Sequence, residues 1–255
     1  MKPDFGKTAE DYASHRAGFP DSLYRRLGEF GVGKPDQSVV DLGTGTGNMA
    51  RSFAKLGCHV IGVDIAEALV EKAKNLDKDA GVTVEYTVGR AESTGLNNAT
   101  ADVVSAGQCW HWFDRPAATM EAARILKPDG KIVIAHMDWL PIADNIVALT
   151  EKLILEHNPA WNMSGGIGIY PQWLRDLDEA GYTNIESFTY DLAIPYTHFS
   201  WRGRIRASAG ISASLPSDKV AVFDLALAEL LTSQFSNEPL MILHRVFAVV
   251  ADRPK

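Results

Sequence analysis

The stretch VVDLGTGTGN, Val39–Asn48, constrains this chain more than any other. A short apolar run carries one acidic residue, and then Gly43, Gly45 and Gly47 alternate with Thr44 and Thr46. Such spacing suits a strand that turns sharply into a helix N-terminus. Glycine accepts positive φ and lets a ligand come close to the backbone. The turn therefore points to a nucleotide-like cofactor, and the spacing narrows which one. The dinucleotide fingerprint G-x-G-x-x-G fails in both registers, since Asn48 or Ala50 stands where the third glycine belongs. A P-loop fails as well, because Asn48 replaces its second glycine and no lysine follows. What is present is D-x-G-x-G-x-G from Asp41 to Gly47, with Asp64 closing the next apolar run.

The pattern around the loop predicts alternating strands and helices. Strands are expected at 38–42, 59–64, 82–88, 101–107 and 131–136, with helices at 21–30, 47–57, 66–76 and 116–126. The strands are apolar along their whole length, as in a parallel sheet covered on both faces. After His136 the rhythm changes. Helices are expected at 142–157, 171–182, 201–211 and 217–235, strands at 184–192 and 240–251, and a glycine-rich loop at 161–171.

Composition excludes several classes. Of 255 residues, 46% are hydrophobic and 22% charged, enough for an ordinary packed core. A net charge of −7 without any basic run argues against a nucleic-acid partner. Cys58 and Cys109 form no CxxC pair and no zinc spacing, so reduced thiols, no metal site and a cytoplasmic location are expected. The polar N-terminus has no apolar core of a secretory signal, and no apolar run suits a membrane span. A monomer or homodimer is expected.

Several ordered blocks together resemble the class I S-adenosylmethionine-dependent methyltransferases. VVDLGTGTGN resembles their first motif and VIGVDIAEALVEKAK the second. GRAESTGLNNATADVVSAGQCWHWFD resembles the region that ends in the fourth-strand motif, AARILKPDGKIVIAH the following helix and fifth strand, and HRVFAVVA the last strand. The nearest likeness is to the ubiquinone-biosynthesis and trans-aconitate methyltransferase types. The resemblance implies a seven-stranded Rossmann-like sheet, mostly parallel with an antiparallel last strand, helices on both faces and helical cap insertions. It implies one domain over 1–255, with a core of 34–136, 183–192 and 238–252 and a cap from 1–30, 137–182 and 195–236. S-adenosyl-L-methionine is the implied cofactor. Its site is expected from Arg16, Asp41, Gly43, Thr44, Gly45, Gly47, Asp64, Ile65, Ala91, Glu92 and Gln108. Asp64 sits where a carboxylate accepts both ribose hydroxyls, although an aspartate there also suits a helix N-cap. Arg90 departs from the aspartate that the family often has before this alanine.

Methyl transfer needs an aligned nucleophile, little water and sometimes a base. CWHWFD leaves the fourth strand at its carboxyl end, so His111 is the candidate base, with a loop-packing histidine as the alternative. If the strand continues, Trp110 and Trp112 flank it on alternate sides. Those two, Tyr12, Trp139 and Arg202 are the expected substrate contacts. A small aromatic or heterocyclic acceptor, methylated at oxygen or nitrogen, is the expected substrate. The cluster Arg202, Arg204 and Arg206 motivates a carboxylate acceptor instead, or else salt bridges to an acidic surface. A nicotinamide oxidoreductase and a non-catalytic S-adenosylmethionine-binding protein are the other readings. The N-P-P-Y or D-P-P-Y signature of amino-group nucleic-acid methylators is absent.

Overall fold

The computed structural model describes His15 and residues 17–255, and divides into two compact units. The first, here the sheet unit, comprises 18–137, 170–189 and 246–255, and the second, the helical unit, comprises His15, Ala17, 138–169 and 190–245. Elements in chain order are α1 (Asp21–Glu29), β1 (Ser38–Leu42), α2 (Asn48–Lys55), β2 (His59–Asp64), α3 (Glu67–Ala80), β3 (Glu85–Val88) and β4 (Ala101–Gly107). There follow α4 (Arg115–Ile125), β5 (Leu126–Trp139), α5 (Ile146–His157), α6 (Pro171–Glu179), β6 (Thr183–Tyr196), α7 (His198–Arg206), α8 (Ser217–Gln234) and β7 (Leu240–Asp252). No helix among the described residues is long and apolar enough to cross a membrane.

The seven strands form one sheet in the order β3-β2-β1-β4-β5-β7-β6. The pairs β1–β2, β1–β4, β2–β3 and β4–β5 are parallel. β7 runs antiparallel to both neighbours. Its residues rise as those of β5 fall, from Leu140 opposite Leu243 to Gly130 opposite Arg253. Likewise Asp191 meets Arg245, Thr189 meets Val246 and Asn184 meets Asp252. Order reverses at β1, with β2 on one side and β4 on the other. Ligands of open α/β sheets bind at such a switch point, outside the carboxyl ends of the strands. The glycine loop leaves β1 there.

In the sheet unit, Val39, Val40 and Leu42, Val103 and Val104, and Ile132–Ala135 are all buried. This double-sided burial explains the unbroken apolar runs. Phe53 of α2 and Ala118, Ala122 and Ile125 of α4 complete the core. Asp114 caps α4, its Oδ1 accepting from Ala117 N at 3.3 Å. α3 runs four residues past its expected end because its stop signal is Gly81, which takes the left-handed φ of 66° that helix ends favour. In the helical unit, Ile146, Ile154, Trp201, Ile205, Phe223, Leu227 and Leu231 form a second apolar core. Asn145 caps α5 and a Thr197–Ser200 capping box starts α7.

Candidate active site

Each glycine of the loop takes positive φ: 62° at Gly43, 57° at Gly45 and 75° at Gly47. Two of them also allow close approach. A Cβ on Gly47 would stand 2.2 Å from the Tyr86 hydroxyl, and one on Gly43 would stand 2.8 Å from Cys109 Sγ. A Cβ on Gly45 would meet nothing within 4 Å, so that face of the loop is open. Two carboxylates hold the loop from below. Asp41 accepts from Thr44 Oγ1 and Ser105 Oγ, each at 2.7 Å. Asp64 Oδ2 accepts from Gly45 N and its Oδ1 from Ala66 N, both at 2.8 Å. The second of these bonds serves the start of α3, so Asp64 does local helix-entry work as well as holding the loop. Burial raises the Asp64 carboxyl, against the lowering from the Ala66 and Gly45 amides. Beside it Ile65 is 66% exposed, an apolar side chain at the rim of the loop.

Burial pushes Asp41 up to about 6 from its ordinary 3.8, outweighing the hydrogen bonds from Ser105 and Thr44. The folded chain therefore takes up this proton before the unfolded chain does. The stability so contributed is complete below 3.8 and is lost as pH rises through about 6. A two-unit shift on a buried group corresponds to about 3 kcal/mol. Asp41→Asn, neutral at every pH, is expected to gain stability relative to the parent between pH 4 and 7. Melting of both proteins across that range checks this, and a constant difference would refute the assignment.

At the end of β4 the chain does not continue as a strand. Gln108 takes a φ of 68°, and Trp110–Trp112 form one turn of 3-10 helix. Strand alternation of the two tryptophans is thereby replaced. Trp110 is the core-facing one, fully buried, with its indole N–H on Asp176 Oδ2 at 3.1 Å. Arg115 Nη1 reaches the same oxygen at 3.1 Å, so Asp176 of α6 pins the turn. Trp112 is partly exposed and its ring lies 4.5 Å from that of His111. The His111 ring is also 5.2 Å from His136 at the end of β5. Tyr170 and Trp173, stacked at 4.2 Å, close on His136 at 4.9 and 5.7 Å. Gln108 Nε2 donates to Met137 O at 2.9 Å, while its Oε1 is buried with no partner among the described residues. Ala91 is buried beyond β3, and Glu92 Oε1 accepts from Asp114 N at 3.0 Å, tying that loop to the CWHWFD segment. Arg90, in place of the family's usual aspartate, pairs with Glu92 Oε2 at 3.3 Å.

The methyltransferase domain family matches residues 40–134, the span that holds the loop, both carboxylates and the 3-10 turn. The chain carries a class I S-adenosylmethionine-dependent methyltransferase domain. An uncharacterized methyltransferase of Schizosaccharomyces pombe is 32% identical over 144 residues, covering 56% of this chain and 54% of that protein. Malonyl-[acyl-carrier protein] O-methyltransferase of Brevibacillus brevis is 27% identical over 186 residues, 69% of this chain and 66% of the relative. Phosphoethanolamine N-methyltransferase 2 of Haemonchus contortus, solved with S-adenosyl-L-methionine, shares the fold with a TM-score of 0.56. It is 19% identical and covers 98% of this chain and 57% of its own. The chain spans about half the length of the fission-yeast relative it matches.

The residues of the methyltransferase domain fit its cofactor, S-adenosyl-L-methionine. Each oxygen of Asp64 takes one amide and keeps a lone pair for a hydroxyl donor. The loop face at Gly45 is open, and the orphan Gln108 Oε1 is an acceptor for a buried cationic or N–H donor. Asp41 is 1% exposed with both oxygens committed, so it supports the loop. Of the other expected residues, Tyr12 and Arg16 lie outside the described ones. Trp139 and Arg202 belong to the helical unit. Trp139 Nε1 donates to Glu151 at 2.8 Å, and Arg204 lies 4.6 Å over its ring. Arg202 and Arg206 share a helix face and both bind Asp224 of α8. Burial raises Asp224, but those hydrogen bonds win and hold it below the ordinary value. Sequence reading missed His136, Tyr170, Trp173 and Asp176 as a group. Only His136 carried a signal, as a polar residue ending an apolar strand.

Proposed function

We propose that the protein transfers the methyl group of S-adenosylmethionine to an oxygen or nitrogen of a small molecule, with an aromatic or heterocyclic acceptor favoured and His111 as the base. The observation that carries this reading is the position of His111. It stands on the turn that follows β4, at the carboxyl edge of the sheet, one turn from the glycine loop that Cys109 touches through Leu42 O at 3.1 Å. S-adenosylmethionine supplies an electrophilic methyl on a sulfonium. The chain's own work is to hold that ligand through Asp64, Gly45 and Gln108, and to take the acceptor's proton on the His111 imidazole as the new bond forms. A base so placed is worth roughly 10²–10⁴ in rate. Among the expected aromatic contacts, Trp112 keeps exposed surface beside His111, and this supports a flat acceptor. Both oxygen and nitrogen remain in the proposal, since the relatives' names include an O- and an N-methyltransferase.

The carboxylate acceptor loses much of its motive, because Arg202 and Arg206 are already engaged by Asp224. A methyl-labelled transfer screen over phenols, N-heterocycles and small carboxylic acids, with mixed protein and nucleic acid as further acceptors, tests the reading. Label in phenols or heterocycles is the expected result. Label only in acids overturns the acceptor class, and label in a protein or nucleic acid alone overturns the small-molecule reading.

A further inference from the structure

Behind the glycine loop stands a polar group, Asp77 buried and Arg51 and Tyr86 partly so, that no part of the transfer chemistry uses. Arg51 of α2 sends Nη2 to Thr46 O at 2.7 Å, so it grips the loop backbone itself. Its Nε lies 2.8 Å from Asp77 Oδ1 of α3, close but out of line for a hydrogen bond, so that hold is Coulombic. Asp77 Oδ2 accepts from the Tyr86 hydroxyl of β3 at 2.8 Å. Tyr86 in turn fills the space behind two glycines. A Cβ on Gly47 would meet its hydroxyl, and one on Gly62 would come within 2.7 Å of its ring. Burial and the Asp77 carboxylate raise the Tyr86 hydroxyl well above its ordinary range, so it stays a donor. One chain of contacts thus runs from three separate elements, α2, α3 and β3, to the two residues that shape the last turn of the loop.

We propose that Arg51, Asp77 and Tyr86 are positioning residues for the cofactor, a brace that holds the glycine loop in its ligand-ready shape before S-adenosylmethionine arrives. The physical reason is preorganisation. The three alternate glycines take positive φ without strain but have much conformational entropy to lose, so an unbraced loop samples many other shapes. A loop already ordered by the brace spends less of the binding energy on ordering itself. The proposal rests on the S-adenosylmethionine assignment of the loop, and on nothing about the acceptor.

The test is calorimetric titration with S-adenosylhomocysteine of the whole protein and of the variants Tyr86→Phe, Arg51→Lys and Tyr182→Phe. Tyr182→Phe is the matched control. It too removes one hydrogen-bonded tyrosine hydroxyl, the buried one that donates to Thr119 O at 2.9 Å in the same unit, at a position outside the loop and its brace. Tyr86→Phe and Arg51→Lys are expected to weaken binding at least tenfold. Tyr182→Phe is expected to lower the melting temperature comparably and leave affinity within twofold. Equal affinity in the parent and both brace variants would overturn the proposal, as would equal weakening by Tyr182→Phe. Absence of binding by the parent would instead remove the cofactor assignment, and the brace with it.

Discussion

Asp64→Ala is expected to weaken binding of S-adenosylmethionine and S-adenosylhomocysteine at least 100-fold. Two losses combine. The carboxylate is the acceptor for ribose hydroxyls implied by its place at the end of β2, and charge-assisted hydrogen bonds contribute about 1.5–3 kcal/mol each. The same carboxylate holds Gly45 N at 2.8 Å, so the loop loses its central anchor. Two such bonds, at about 1.4 kcal/mol per tenfold, already exceed a factor of 100. Asp64→Asn separates the contributions. It keeps an oxygen acceptor for one amide but lacks the charge, and is expected to fall between parent and Asp64→Ala. The measurement is calorimetric affinity at pH 7.5, together with melting to confirm folding. An affinity within threefold of the parent would leave Asp64 a structural residue only, through its bonds to Gly45 N and Ala66 N.

His111→Gln is expected to lower kcat by roughly 10²–10⁴, the usual contribution of a positioned base, while affinity for S-adenosylhomocysteine stays within threefold. The split between rate and affinity is the informative part. His111 sits against Trp112 and His136 rather than against the glycine loop, so its loss leaves the cofactor anchors in place. Steady-state rates with the acceptor found by labelled transfer, alongside calorimetry, check both halves. A rate within threefold of the parent would make His111 a packing residue of the 3-10 turn. Phenols, which carry an acidic proton, are expected to be less sensitive to the substitution than neutral N-heterocycles, because the base has less work to do.

Much of the sheet unit was legible because its signals are local. An apolar run, a glycine turn and an amphipathic helix recur at short range; β1, β2 and β4 have the expected bounds, while β3 (Glu85–Val88) is shorter than the expected 82–88 and β5 (Leu126–Trp139) longer than the expected 131–136. Errors gathered where a distant residue decides. One error was local: α3 runs on to Ala80 because Gly81, not the polar run before it, ends the helix. Trp110 is fixed by Asp176, which lies 66 residues on, and no spacing rule links the two. Tyr170 and Trp173, expected in the cap, instead close on His136 in the sheet unit, a pairing set by the path of β5. The arginine cluster was half legible. Helical spacing put Arg202 and Arg206 on one face with Arg204 on another, but only the fold supplies Asp224 for the first two and Trp139 for the third. Acceptor identity was not legible, because the helical unit follows no motif of the family.

Calorimetric titration with S-adenosylhomocysteine, with NADH as the comparison, tests the central claim most directly. The geometry of Asp64, Gly45 and Gln108 predicts micromolar, one-to-one binding of S-adenosylhomocysteine and none of NADH. Binding of NADH alone, or heat from neither ligand, would contradict it.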